Sequence, residues 1–85
     1  MKLKDGLTLQ NMGDEFVVAA QDPALFRGMI KLNDSGAFLF KLMQKECNFD
    51  ELLAEITREY DTDQDRAYKD LERFIKVFER FDLIE

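Results

Sequence analysis

Few side chains in this sequence have the chemistry that catalysis requires. The chain has no histidine, one serine (Ser35) and one cysteine (Cys47), so it lacks the base that activates the nucleophile in most catalytic triads. Zinc sites are built from clusters of cysteine and histidine, which are also absent. The residues therefore predict a protein that is not an enzyme, needs no cofactor and acts by binding.

One group of acidic residues has the spacing of a calcium-binding loop. Asp61, Asp63, Asp65 and Glu72 occupy the first, third, fifth and twelfth positions of such a loop. The sixth position is Arg66, where the sharp bend of the loop needs glycine, and a helical apolar pattern runs across the segment. These carboxylates are better explained as partners of a helix N-terminus.

Ser35 supports a second chemical hypothesis. Asp34-Ser35-Gly36 resembles the Asp-Ser-Leu site at which acyl and peptidyl carrier proteins receive phosphopantetheine at a helix start. Such a serine must be exposed, and we expect Ser35 to be exposed. A carrier protein has a helix ahead of this site, whereas strands are predicted here, and Gly36 replaces the usual leucine. A carrier-like protein modified on Ser35 stays an alternative.

Length and composition limit the class of protein. Eighty-five residues are expected to form one domain, 1–85, because two cores would each bury too little apolar surface. No apolar run approaches the ~20 residues of a membrane-spanning helix. The N-terminal Met1–Gly6 has two lysines but no apolar stretch behind them, unlike a secretory signal. We therefore expect a cytoplasmic protein without a membrane partner.

The charge is distributed unevenly along the chain. Residues 1–32 have four basic and four acidic residues, so the whole net charge of −6 lies in residues 33–85. Nucleic-acid-binding domains normally present a basic surface, so no nucleic-acid partner is expected. A winged-helix regulator is a further alternative, disfavoured by the acidic residues of its recognition helix, which would be Asp63, Asp65, Asp70, Glu72 and Glu79.

The first part of the chain has the signals of strands and turns. Alternating, β-branched and aromatic residues predict three antiparallel strands in a meander, joined by a tight turn and a longer connection over 21–28. The third strand should place Ile30 and Leu32 on one face and Met29 and Lys31 on the other. The segments are Leu7–Leu9, a turn at Met12–Asp14, Glu15–Ala20 and Met29–Leu32.

The rest of the chain predicts three helices, at about 34–45, 49–60 and 63–81, with Leu83–Ile84 closing the core. The expected N-caps are Asn33, Asn48 in a capping box with Glu51, and Thr62. Tyr68 and Val77 lie outside the apolar face of the third helix, either at the core margin or on a face that a partner covers. The fold class is therefore α+β, a winged-helix-like three-stranded antiparallel sheet followed by three α-helices.

Four segments together resemble the PqqD-like family, also called the RiPP recognition element. The Leu-Asn-Asp-Ser-Gly-Ala junction is the most specific of them. The founding member of the family assists the biosynthesis of pyrroloquinoline quinone, and the wider family serves peptides that are made on the ribosome and then enzymatically modified. The segments are Gly28–Leu32, Leu32–Ala37, Phe49–Asp61 and Leu71–Ile84.

The resemblance implies that the leader segment of a precursor peptide adds as a strand beside the third strand, in a groove made with the third helix. A modifying enzyme, often a radical S-adenosylmethionine (radical SAM) enzyme, would receive the bound peptide. The open strand edge is also compatible with a homodimer. The residues expected to bind peptide are Arg27, Gly28, Met29, Ile30, Lys31, Asp70, Arg73, Phe74 and Val77.

Overall fold

The computed structural model describes every residue from Met1 to Glu85. It confirms the predicted α+β fold, because three antiparallel strands are followed by three helices. Their order in the sheet is β1-β2-β3. The elements are β1 (Leu7–Met12), β2 (Glu15–Ala20), β3 (Ile30–Leu32), α1 (Asp34–Leu42), α2 (Phe49–Tyr60) and α3 (Gln64–Arg80).

The hairpin between β1 and β2 is tighter than predicted. β1 continues to Met12, which pairs with Glu15, so the turn consists only of Gly13 and Asp14. Gly13 has a φ of 82° and Asp14 does not have a positive φ, which is the pattern of a type II′ turn. Glycine is favoured at Gly13 because other residues are strained there.

The third strand begins one residue later than predicted. Gly28 has a φ of 105°, which bends the chain before it reaches the sheet, so pairing with β2 starts at Ile30 and not at Met29. The predicted faces are confirmed: Ile30 is buried, Leu32 is half-buried and Lys31 is exposed. β3 pairs with β2 alone, so its other edge is open.

The caps of α1 and α2 are confirmed. Asn33 Oδ1 accepts a hydrogen bond from the Gly36 N–H at 2.9 Å. In the capping box, Asn48 Oδ1 accepts from the Glu51 N–H at 2.8 Å, and Glu51 Oε1 accepts from the Asn48 N–H at 3.0 Å. Both helices therefore begin where a side chain satisfies backbone N–H groups that lack a partner in the helix.

The cap of α3 and the end of α1 differ from the predictions. Asp63, not Thr62, caps α3, and its carboxylate accepts from the Arg66 N–H at 2.8 Å. α1 ends at Leu42 instead of residue 45, because the N–H groups of Gln44 and Lys45 donate to carbonyls only three residues back, at 3.5 and 3.4 Å. The side-chain amide of Gln44 donates to the Phe40 carbonyl at 2.9 Å.

The core joins the sheet, the three helices and both ends of the chain. Leu83 is fully buried, as predicted, and Leu3 is buried beside it, which the sequence analysis did not predict. Leu3 forms a β-bridge with Ile84, and its N–H donates to the Met43 carbonyl at 2.9 Å. No helix in the chain combines the length and apolar composition needed to cross a bilayer.

Candidate functional site

A groove of about 230 Å³ lies between β3 and α3, with the first turns of α1 at its base. We call it the β3–α3 groove. Its lining is contributed by three elements that are distant in sequence, and it combines apolar side chains with polar and charged ones. The lining residues are Ile30, Lys31, Leu32, Asn33, Ser35, Gly36, Leu39, Asp70, Arg73, Phe74, Val77 and Phe78.

The groove brings together six of the nine residues that the resemblance implied. Ile30 and Lys31 contribute from β3, and the α3 residues are Asp70, Arg73, Phe74 and Val77. Arg27, Gly28 and Met29 do not line it. They are exposed and lie before the strand, because Gly28 bends the chain there, and Met29 keeps 71% of its surface exposed. The groove and the expected peptide-binding residues therefore overlap only from Ile30 onwards.

The start of α1 is the part of the lining that the site prediction missed. Gly36 is buried there, and a Cβ atom on it would lie 3.1 Å from Leu32 Cβ and 3.3 Å from Asn33 Oδ1. The signal was present in the Leu-Asn-Asp-Ser-Gly-Ala junction, whose glycine permits this close approach. Only Asn33, the N-cap, separates the end of β3 from the start of α1.

We expect Gly36→Ala to lower the free energy of unfolding by about 1 kcal/mol. The added methyl group crowds Leu32 and the Asn33 cap, a cost of about 1–3 kcal/mol, and better helix propensity offsets part of it. Urea unfolding followed by circular dichroism measures the change. Ser35→Ala, which adds no atom beside Leu32, serves as the neighbouring control. Unchanged or increased stability of Gly36→Ala would show that the close approach is unimportant.

The hydrogen-bond pattern of the sheet determines which backbone groups of β3 are free. In a two-residue hairpin the residues flanking the turn, here Met12 and Glu15, exchange backbone hydrogen bonds, and such pairs alternate along the strands. At the other end, the Gln21 N–H donates to the Gly6 carbonyl at 2.9 Å, which fits the same alternation. Val17 therefore bonds towards β1.

Lys31 stands opposite Val17 in the register of β2 and β3. Because Val17 bonds towards β1, Lys31 and Val17 form a pair without backbone hydrogen bonds between them. The N–H and C=O groups of Lys31 consequently face away from β2, towards the open edge. They are a donor and an acceptor that an added strand can use.

The α3 wall of the groove is apolar at its base and charged at its rim. Phe74 and Phe78 are buried and stacked, with ring centroids 4.5 Å apart, whereas Val77 is half-buried. Phe74 is therefore mainly a core residue, and Val77 is the more accessible of the two. At the rim, Arg73 is exposed and makes no ion pair within the chain.

Lys31 and Tyr68 are both exposed, and each has a partner within the chain. Lys31 Nζ lies 3.8 Å from Glu15 Oε2 in an exposed ion pair, which contributes little to stability. Tyr68 is exposed and packs edge-on against Phe49, with centroids 5.2 Å apart, outside the groove. Of the two residues outside the apolar face of α3, only Val77 lies in the groove.

The residues considered for other chemistry have structural partners. Ser35 is half-buried, contrary to the exposure that the carrier hypothesis requires, and its hydroxyl donates to Asn33 Oδ1 at 3.0 Å. Asp63 of the calcium-loop pattern caps α3, and no group of three or more histidine, cysteine, aspartate or glutamate residues is placed to hold a metal ion. Burial raises the pKa of the Cys47 thiol, which disfavours the reactive thiolate.

Comparison with solved structures identifies the same fold in another protein. The structure of TbiB1 in complex with the TbiA(beta) leader peptide superposes with a TM-score of 0.75. The alignment covers 100% of this chain and 95% of TbiB1, at 22% sequence identity. At that identity the likeness shows a shared fold. A search of curated proteins found no match.

Comparison with protein-family models identifies the family. The model described as coenzyme PQQ synthesis protein D (PqqD) matches residues 15–84, which include β2, β3, all three helices and the groove between them. The match spans most of the chain, so this protein belongs to the PqqD family.

Proposed function

We propose that this chain is a non-catalytic adaptor that binds the leader segment of a ribosomally made precursor peptide and presents it to a modifying enzyme. The open edge of β3, which lies beside the β3–α3 groove, is the observation that carries the proposal. Membership of the PqqD family supports it, and so does the fold shared with TbiB1, a protein solved with a leader peptide bound.

The edge and the groove serve different parts of the same peptide. The N–H and C=O of Lys31 pair with the backbone of an added strand, which supplies affinity that does not depend on peptide sequence. Every second side chain of that strand enters the groove, where it meets Val77 and the ring of Phe74. Selectivity therefore comes from the α3 wall.

An adaptor of this kind accelerates a reaction without a reactive group of its own. When it holds the leader segment and contacts the enzyme, it raises the effective concentration of the rest of the peptide at the enzyme's active site. The enzyme class that fits the family is a radical SAM enzyme. Transfer of the peptide requires that binding be reversible, and exchange at a short strand edge permits this.

A glutamate in the groove should weaken peptide binding strongly without unfolding the chain. We expect Val77→Glu to weaken binding by more than about tenfold, because the carboxylate loses hydration when an apolar side chain covers it. The peptide is obtained by selection from a display library of random peptides on the immobilised wild-type chain. It is then synthesised with a fluorescent label, and binding is measured by anisotropy.

Ile75→Glu is the matched control, because Ile75 is also half-buried on α3 but does not line the groove. It should retain binding, and thermal melts of both variants report whether they are folded. Equal loss of binding in the two folded variants would argue against the groove. Selection of no saturable binder by the wild-type chain would count against the function itself.

A further inference from the structure

Five basic residues form one row along the exposed side of α3. They recur at alternating intervals of three and four residues, which places them on the same side of a helix with 3.6 residues per turn. All five are exposed. We call this row the basic stripe; it consists of Arg66, Lys69, Arg73, Lys76 and Arg80.

The basic stripe is unusual in a chain whose net charge is −6 and which has only 12 basic residues in all. Lys76 pairs with Glu72, with 3.8 Å between Nζ and Oε1, while the other four make no ion pair within the chain. Unpaired cations in one row create a local positive potential on an otherwise acidic surface. The chain therefore presents one narrow surface that attracts anionic groups.

The basic stripe is continuous with the β3–α3 groove. Arg73 belongs to both, and Val77 and Asp70 lie next to the stripe on the side that faces the groove. From Arg66 to Arg80 the stripe extends about 21 Å along the helix axis, at 1.5 Å per residue. The three residues of β3 span only about 10 Å. The α3 residues that line the groove lie between Asp70 and Phe78, so a strand added to β3 lies beside the middle of the stripe. The peptide residues that flank this strand extend towards the two ends of the stripe.

We propose that the basic stripe binds acidic side chains on the residues that flank the added strand, so that the chain selects acidic peptides. This inference rests on the proposed function and names the chemistry of its substrate. The stripe attracts aspartate and glutamate side chains, whereas the acidic remainder of the surface repels them. The opposite charges therefore hold the peptide along α3.

The shape of the charged surface favours a peptide over a nucleic acid. Asp65, Glu72 and Glu79 recur every seven residues on the side of the stripe away from the groove, and Asp70 lies on the groove side. A single extended peptide that lies in the groove and along the stripe meets only Asp70 of these carboxylates. A duplex is wide enough to bring its phosphates against both, which is unfavourable.

Peptide selection on charge variants tests the role of the stripe. The stripe variant Arg66→Gln/Lys69→Gln/Arg80→Gln removes three unpaired cations and leaves Arg73 in the groove. The control variant Lys41→Gln/Lys45→Gln/Arg58→Gln removes the same charge from α1, the turn after it and α2. The same display library of random peptides is selected on both variants and on the wild-type chain. Far-ultraviolet circular dichroism establishes that all three are folded.

We expect wild type and control to enrich peptides with aspartate or glutamate on either side of an apolar centre. The stripe variant should enrich apolar centres without that acidic bias. A synthetic acidic peptide selected on the wild type should bind the stripe variant about tenfold more weakly at low salt, as the loss of two or three exposed ion pairs implies. The difference should shrink at high salt because exposed charges are screened.

Three other outcomes would contradict the proposed role of the basic stripe. Wild-type peptides without acidic enrichment would overturn the role of the stripe and leave the peptide-binding function standing. Selection of no peptide by the wild type would overturn both. Binding of duplex DNA that is lost in the stripe variant, together with unchanged binding of the acidic peptide, would assign the stripe to nucleic acid instead.

Discussion

Phe78→Ala is expected to remove about 3–5 kcal/mol from the free energy of unfolding, enough to leave much of the protein unfolded. Phe78 is 0% exposed, stacks on Phe74 at 4.5 Å and lies 6.5 Å from the ring of Phe40. Its removal leaves a cavity where α1 and α3 meet, and a domain this small has little stability in reserve. Urea unfolding followed by circular dichroism measures the loss.

Phe81→Ala is the control for this prediction. Phe81 has the same side chain and lies at the C-cap of α3, but it is 41% exposed and contacts Phe26 edge-on, with centroids 4.9 Å apart. We expect a loss of about 1 kcal/mol, typical of a partly exposed site. If both variants lost the same stability, the core would not be organised around Phe78 as the structure shows.

Lys31→Pro is expected to eliminate peptide binding while leaving the sheet intact. Proline removes the N–H that faces the open edge, and its ring occupies the space where the added strand must approach. The hydrogen bonds between β2 and β3 are made by Ile30 and Leu32, which bond to Val18 and Phe16, so they are retained. Anisotropy titration with the library-selected peptide should show no saturation.

Lys31→Ala separates the backbone contribution from that of the side chain. It keeps the N–H that pairs with the added strand. It removes the side-chain charge, which forms an exposed ion pair with Glu15 within the chain. Binding should therefore weaken only a few-fold, about the contribution of one exposed ion pair between Lys31 and the peptide. Thermal melts of both variants report the state of the sheet. If folded Lys31→Pro bound the peptide as tightly as wild type, strand addition at β3 would be wrong.

The features that were predicted correctly are those determined by neighbouring residues. The bounds of α2 and its capping box follow from Asn48 and Glu51, three residues apart, and from an amphipathic pattern that tertiary contacts reinforce. The Asn33 cap of α1 is local in the same sense. Short-range hydrogen bonds of this kind can be predicted from the types and spacing of the residues that make them.

The features that were missed depend on backbone angles or on distant contacts. The late start of β3 follows from the φ of Gly28, which glycine permits but does not require. The burial of Leu3 depends on residues at the opposite end of the chain, and no periodicity indicates that contact. The approach of Gly36 to Leu32 is local, but Gly36 lines the groove only because α3 packs opposite the start of α1.

The bridge between Leu3 and Ile84 has a consequence for folding during synthesis. Leu3 belongs to the same buried cluster as Phe78 and Leu83, so the first buried residue of the chain finds its partners among the last. Contacts of such high sequence separation form late, because the intervening chain must be closed into a loop. On the ribosome, the core cannot be completed until Ile84 has left the exit tunnel.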